Sequence, residues 1–326
     1  MIRRVLVLAV LTSLALYWPD HTSAQSYPHK RPITIVIPFP AGGPTDGMAR
    51  IISERLGAAL GQKIVVENRA GGAGGSNGAK FVVAANPDGY TLLMTAGGPL
   101  TTGPAVQPNI GYDPLTAFEP IAQVMETPLI FAVHPDLPVN TLSEIVTYAR
   151  ASPGKIKWGT QGFGTGTHLL LELFKQEAGV DITHVPYRGT APMLTGILTG
   201  EIQMVVDVTT TSLPHMEAGK LRPIAIAGPT RHPKLPQVPT VIEAGFPRLQ
   251  LPFWLGVLAP SGTPADIIAV LNDGLGKALA ASDIQARLAA LGAEAKIGTP
   301  ANFKNLIAAE LAQWTAVAKA ANIKVD

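Results

Sequence analysis

Two periods alternate along the chain. Short β-branched runs such as Ile33-Thr34-Ile35-Val36-Ile37 predict strands, and stretches such as residues 48–56, apolar on one helical face, predict helices. Strand, helix, strand, helix, strand follow one another over residues 33–37, 46 onward, 63–67, 76–85 and 90–94, with Asn86-Pro87-Asp88-Gly89 as a turn. That order belongs to a parallel sheet with helices on its faces. Proline-rich sequence then leads to two strand-like runs, 118–124 and 129–133, with Pro128 between them. A second series begins with a helix over 142–150. It continues with strands over 156–159, 182–185, 204–208 and 224–227, helices over 167–178 and 191–198, and a short helical turn at 215–218. A strand over 251–258 precedes an alanine- and leucine-rich helical tail, residues 264–319. The pattern is two α/β units in series. The tail is expected to pack back on the first unit, so the chain crosses between units near Thr127-Pro128 and near Leu251-Pro252. The expected division is 25–127 with 252–326 as one domain and 128–251 as the other.

The N-terminus changes the picture by removing residues from it. Met1-Ile2-Arg3-Arg4 is basic, residues 5–17 are apolar but short for a bilayer span, and Thr22-Ser23-Ala24 reads as a cleavage site. This is a secretory signal peptide over residues 1–24; a short anchor helix is the alternative. Removing 24 of 326 residues leaves 302, enough for two domains. The chain has no cysteine, so its core, not disulfides, must hold it, and no N-terminal cysteine is available for a lipid. With Arg3, Arg4 and Asp20 set aside from 25 basic and 23 acidic residues, the mature chain carries 23 and 22. A balance of that kind, with no visible basic patch, does not suit a nucleic-acid partner.

Most chemical motifs fail on spacing. From Gly72 and Gly74 the third position of a dinucleotide fingerprint is Asn77, and from Gly162 and Gly164 it is Thr167. No glycine loop ends in Gly-Lys-Ser/Thr, and no G-x-S-x-G elbow exists. Ser76 reads as a helix cap, not as a nucleophile. The seven histidines are scattered without an i+3 or i+4 pair, so no metal site and no cofactor is expected.

What remains is a pair of loops built alike. Phe39-Pro40-Ala41-Gly42-Gly43-Pro44-Thr45-Asp46 joins a strand to a helix in the first unit, and Gly162-Phe163-Gly164-Thr165-Gly166-Thr167-His168 does so in the second. Glycine allows a tight turn and close approach of a ligand, and each helix start offers N–H groups with partial positive charge. Ordinary strand-to-helix punctuation is the plain alternative for either loop alone. Together, at the carboxyl ends of parallel strands, they would hold a carboxylate without Lys or Arg. Thr45 and Asp46, and Thr165 and Thr167, stand where caps belong; Asp46 either caps its helix or accepts from the ligand. His168 reads as an orienting or packing residue. Asp207, ending strand 204–208, is a ligand or water partner or else a solvated surface group, and Thr95, Ala96 and Gly97 end strand 90–94 in the same manner.

These residues resemble the substrate-binding proteins of tripartite tricarboxylate transporters, the TctC or Bug family. The resemblance runs from Tyr27 to the C-terminus. It is carried by Pro38 to Asp46, Glu67-Asn68-Arg69 with the 71–75 glycines, Asn86-Pro87-Asp88-Gly89-Tyr90, Gly164-Thr165 with His168, and His184-Val185-Pro186-Tyr187-Arg188-Gly189. It implies an α/β, two-lobed periplasmic binding protein of the type II-like flytrap kind, with a ligand cleft between two parallel-type βα domains. It implies a small carboxylate as ligand, held by Phe39, Ala41, Gly42, Gly43, Thr45 and Asp46 from one loop and Gly164, Thr165, Gly166, Thr167 and His168 from the other. A monomer that delivers the ligand to transporter membrane components is the expected role. A sensor that presents its closed form to a membrane kinase is the second reading. An exported enzyme using Asp46, His168 and Asp207 as an acid/base set is the third.

Overall fold

The computed structural model describes residues 27–324, so the signal segment read from residues 1–24 lies outside the described residues. The elements run β1 (Ile33–Ile37), α1 (Pro44–Leu60), β2 (Ile64–Asn68), α2 (Ser76–Val83), β3 (Thr91–Thr95), a wide turn over Gly98–Thr102, α3 (Gly103–Val106) and β4 (Phe118–Val133). Next come α4 (Leu142–Ala151), β5 (Lys157–Thr160), α5 (Gly166–Ala178), β6 (Thr183–Pro186), α6 (Thr190–Leu198), β7 (Met204–Val208), α7 (Thr209–Glu217) and β8 (Arg222–Ile226). The chain closes with β9 (Pro252–Pro260), α8 (Ala265–Ala280), α9 (Ser282–Ala290), β10 (Glu294–Ala295) and α10 (Pro300–Ala320).

The strand order is β2-β1-β3-β9-β4-β7-β5-β6, with β8 and β10 also paired to β4. Pairing is parallel within β2-β1-β3 and within β7-β5-β6, but β9 and β4 run antiparallel to their neighbours. Each half is therefore a parallel βα sheet with antiparallel crossing strands, a curled two-lobed α/β fold. The two runs read from sequence as separate strands around Pro128 are one 16-residue strand. Its first part pairs with β9 as far as Pro128↔Pro252, and Leu129–Val133 then pairs with β7 and β8. Pro128 lacks an N–H, so it sits where one ladder hands over to the next instead of ending the strand.

Alternating side chains send each strand's apolar groups to both faces of its sheet. In the first lobe Ile33, Ile35 and Ile37 face Met48, Ile52 and Leu56 of α1 and Leu271 and Leu275 of α8. Val36, on the other face, joins Trp254, Phe303 and Ile307. In the second lobe Phe131, Trp158 and Phe174 anchor one face, and Ile130, Val205 and Ile197 the other. The C-terminal tail joins both clusters. α10 lays Phe303 and Ile307 on the first lobe and carries Trp314, Val317 and Ala318 into the second lobe's cluster. The short turn read at 215–218 is the end of a longer helix, α7, which contains Pro214.

Candidate functional site

The strand-to-helix loops of β1–α1 and β5–α5 meet at a cavity of about 130 Å³ between the lobes. For scale, an engineered apolar cavity of about 150 Å³ admits benzene. Phe39, Gly43, Pro44 and Thr45 line it from the first loop, and Gln161, Thr165, Gly166 and Thr167 from the second. Ala96, Gly97, Gly98 and Thr102 form another part of the wall, and Leu251, Phe253, Trp254 and Glu310 supply much of the rest. Among the described residues no Lys or Arg lines the cavity.

Both helices begin without a side-chain cap. Gly43 is the N-cap of α1, with Pro44 at its first position, and Thr165 is the N-cap of α5. The first-turn N–H groups thus have no capping side chain to satisfy them. This corrects the expectation that Thr45 and Asp46 occupy cap positions. Asp46 instead accepts from the Gly42 N–H at 3.0 Å and from the Nε and Nη2 of Arg50 at 3.0–3.2 Å. Burial works against ionised Asp46, but the hydrogen bonds from Arg50 and Gly42 outweigh it and hold its carboxyl below the usual range. Arg50 also reaches the Asn68 Oδ1 at 3.4 Å, and Asn68 donates to the Phe39 carbonyl at 3.1 Å. Asp46, Arg50 and Asn68 therefore tether the loop from behind, and Asp46, Ala41 and Gly42 are not part of the cavity wall. Gly42 has φ +82°, a conformation that a side chain disfavours.

The second loop is tied internally. The Thr165 hydroxyl donates to the Gly162 carbonyl at 2.8 Å, and the Thr167 hydroxyl to Gln161 Oε1 at 2.6 Å. Gln161 in turn donates to Asp207 Oδ1 at 3.1 Å. Asp207 is fully buried, which excludes a solvated surface role, and it lies behind Gln161 instead of on the wall. The Thr211 and Ser212 hydroxyls donate to its Oδ2 at 2.6 and 2.5 Å. Burial pushes the Asp207 carboxyl up, against the pull of these donors. It is a hub that orients Gln161. His168 is likewise an orienting group: its Nδ1 accepts from the Gly164 N–H at 3.3 Å, and its ring stacks on His184 at 4.4 Å. Burial lowers both histidines, His184 to about 4, so both are neutral at neutral pH. Phe163, 54% exposed, packs edge-on against both rings. Thr95 is buried behind Ala96, and its hydroxyl donates to the Ala96 carbonyl at 2.9 Å. Since Asp46, His168 and Asp207 all lie off the wall and are each engaged elsewhere, no acid/base set forms around the cavity.

The lobes touch across the cavity. The Thr102 hydroxyl donates to the Gly164 carbonyl at 2.8 Å, and a Cβ on Gly189 would stand 3.2 Å from Pro40. The 71–75 glycines have a packing role: Gly74 lies so close to the backbone of Gly98 that a Cβ would collide with it. Ser76, read as a cap, is the first residue of α2 and makes no capping bond.

The sequence missed Gln161, Thr102, Thr190, Phe253, Trp254 and Glu310 on the wall. Glu310 alone left a signal, an acid within the apolar stripe Phe303, Ile307, Trp314, Val317.

The family model described as the tripartite tricarboxylate transporter family receptor matches residues 48–323. The chain belongs to this family. Protein BugT of Bordetella pertussis is 36% identical over 304 residues, covering 93% of each chain. The solved periplasmic binding protein BugD superposes with a TM-score of 0.85 at 35% identity, covering 90% of this chain and 99% of that one. A Rhodopseudomonas palustris protein solved with adipate gives 0.86 at 37% identity, covering 92% and 99%. MatC from the same organism, with bound malate, gives 0.84 at 35%, covering 89% and 99%. These relatives are binding proteins, and the family's periplasmic fold is the one described above. Among the described residues no helix is long and apolar enough to cross a membrane.

Proposed function

We infer that this chain captures a small carboxylate in the cleft and hands it to the membrane components of a tripartite transporter. The observation that carries the reading is the cavity itself: two helix starts without side-chain caps converge on a space whose wall, among the described residues, has no cation. The N–H groups of Thr45, Gly166 and Thr167 are the donors for the anion, with the hydroxyls of Thr45 and Thr165 beside them. Each helix start contributes about 0.3–1 kcal/mol when exposed and up to ~2 kcal/mol when partly buried. The apolar remainder, Phe39, Leu251, Phe253 and Trp254, suits a ligand's carbon skeleton. Relatives solved with adipate and with malate support the same ligand class. Phe39, Gly43, Thr45, Ala96, Thr165, Gly166 and Thr167 touch the ligand; Ala41, Gly42, Asp46, Thr95, Gly164, His168 and Asp207 shape what touches it.

Capture proceeds by closure of residues 25–127 with 252–326 against residues 128–251. The hinges are the paired crossings at Thr127-Pro128 and Leu251-Pro252, where β4 changes partners. The mature protein acts as a monomer in the periplasm after removal of residues 1–24.

Calorimetric titration with mono-, di-, tri- and aromatic carboxylates tests the reading. Saturable one-to-one binding is expected, weakened by Thr165→Ala and by Asp46→Ala. Binding that neither substitution alters would sink the two-loop site.

A further inference from the structure

Among the described residues, Glu310 is the one ionisable side chain on the cavity wall. It belongs to no motif of the two loops. α10 brings it there within a stripe of buried residues, Phe303, Ile307, Trp314 and Val317, spaced three and four apart. An acid in such a stripe is paired, or it is neutral. Glu310 has no cationic partner. Trp254 from β9 donates to its Oε2 at 2.7 Å, and Trp314, one turn along its own helix, to its Oε1 at 3.3 Å. The Gly98–Thr102 turn brings the Thr101 hydroxyl, and none of the groups acting on the carboxyl is charged. The residue is 9% exposed, and burial pushes its carboxyl up to about 7.

We propose that Glu310 determines specificity in the cleft: it meets the bound anion as the protonated acid and donates its O–H to a ligand oxygen, so that capture is linked to one proton. The proposal rests on the carboxylate reading of the cavity. An ionised Glu310 beside a bound carboxylate would set two like charges in a low-dielectric space with no cation between them. Two carboxyl groups sharing such a site keep one proton. The proton comes from solvent when the free protein is ionised and is already present when it is not. The same geometry defines the ligand's face towards α10. It bears an acceptor oxygen, a carboxylate or a carbonyl, and not an ammonium group.

Calorimetric titration with adipate and with malate, from about pH 6.5 to 8.5, tests this. Carboxylates with ordinary values near 4 are fully ionised throughout that range, so any dependence on pH arises in the protein. A group that must be protonated supports binding below its free value and withdraws it above. Affinity is therefore expected to hold below about pH 7 and to fall towards about tenfold per pH unit above it. Titrations in buffers of different ionisation heat should show proton uptake approaching one per ligand at the alkaline end. Glu310→Gln keeps a donor but cannot titrate, so its affinity should not vary with pH and its proton uptake should vanish. Wild-type proton uptake decides the matter even if that variant folds poorly. Saturable binding with flat affinity, affinity that rises with pH, or uptake that persists in Glu310→Gln would each overturn the proton link while leaving the carboxylate reading in place. No saturable binding of any carboxylate at any pH would overturn both.

Discussion

Replacing Thr102 by valine removes one hydroxyl and keeps the outline of the side chain. Thr102 is 2% exposed, and its hydroxyl reaches across from the first lobe to the Gly164 carbonyl at 2.8 Å in the second glycine loop. A neutral hydrogen bond of this kind contributes about 0.5–1.5 kcal/mol net, and leaving the buried carbonyl unpaired costs about 1–3 kcal/mol. Under the proposed closure, separated lobes let water satisfy both groups, so the loss falls on the closed form alone. A penalty of about 1–3 kcal/mol on closure corresponds to about a 5- to 150-fold loss of affinity. Calorimetric titration of wild type and Thr102→Val with adipate would read that loss directly. The thermal midpoint of the ligand-free variant should stay near that of wild type. Unchanged affinity, or a free protein destabilised as much as the complex, would refute the assignment of this bond to closure.

The remaining predictions concern the framework. Gly256→Ala would drive a Cβ into the ring of Phe303, so the thermal midpoint should fall by the equivalent of about 1–3 kcal/mol, and Phe303→Leu should restore part of it. Gln161→Leu would strip Thr167 and buried Asp207 of a partner; a loss of about 1–3 kcal/mol in denaturant titration is expected, together with weaker ligand binding. Burial holds His184 at about 4, below its ordinary 6.5. Its contribution to stability is therefore present above pH 6.5 and is lost as pH falls towards 4. Urea midpoints measured across that window should decline in wild type and decline less in His184→Gln.

The βα alternation was legible in the sequence because helix and strand periods are local. The two glycine loops were legible because tight strand-to-helix turns need particular residues. The identity of β4 as one strand was not, because its first part is organised by β9 and its second by β7 and β8, all distant in the chain, and Pro128 alone reads as a break. Asp46 illustrates a similar limit. An acid in the first turn of a helix reads as a cap, and only the position of Arg50 and Asn68 turns it into a tether for the loop. Asp207 near a strand end reads as either a ligand partner or a solvated group until Gln161, Thr211 and Ser212 are seen to enclose it. Glu310 was recoverable in principle, since an acid inside an apolar helical stripe departs from the pattern around it. Its place on the cavity wall depends on α10 returning from the C-terminus across both lobes, which no local pattern encodes.

A crystal structure of the complex with whichever carboxylate binds saturably will show whether the anion sits between the two uncapped helix starts. Carboxylate oxygens are expected about 2.7–3.2 Å from first-turn N–H groups of α1 and α5, with no Lys or Arg in contact. A ligand held by a cationic side chain, or bound away from Thr45 and Thr165, would contradict this placement.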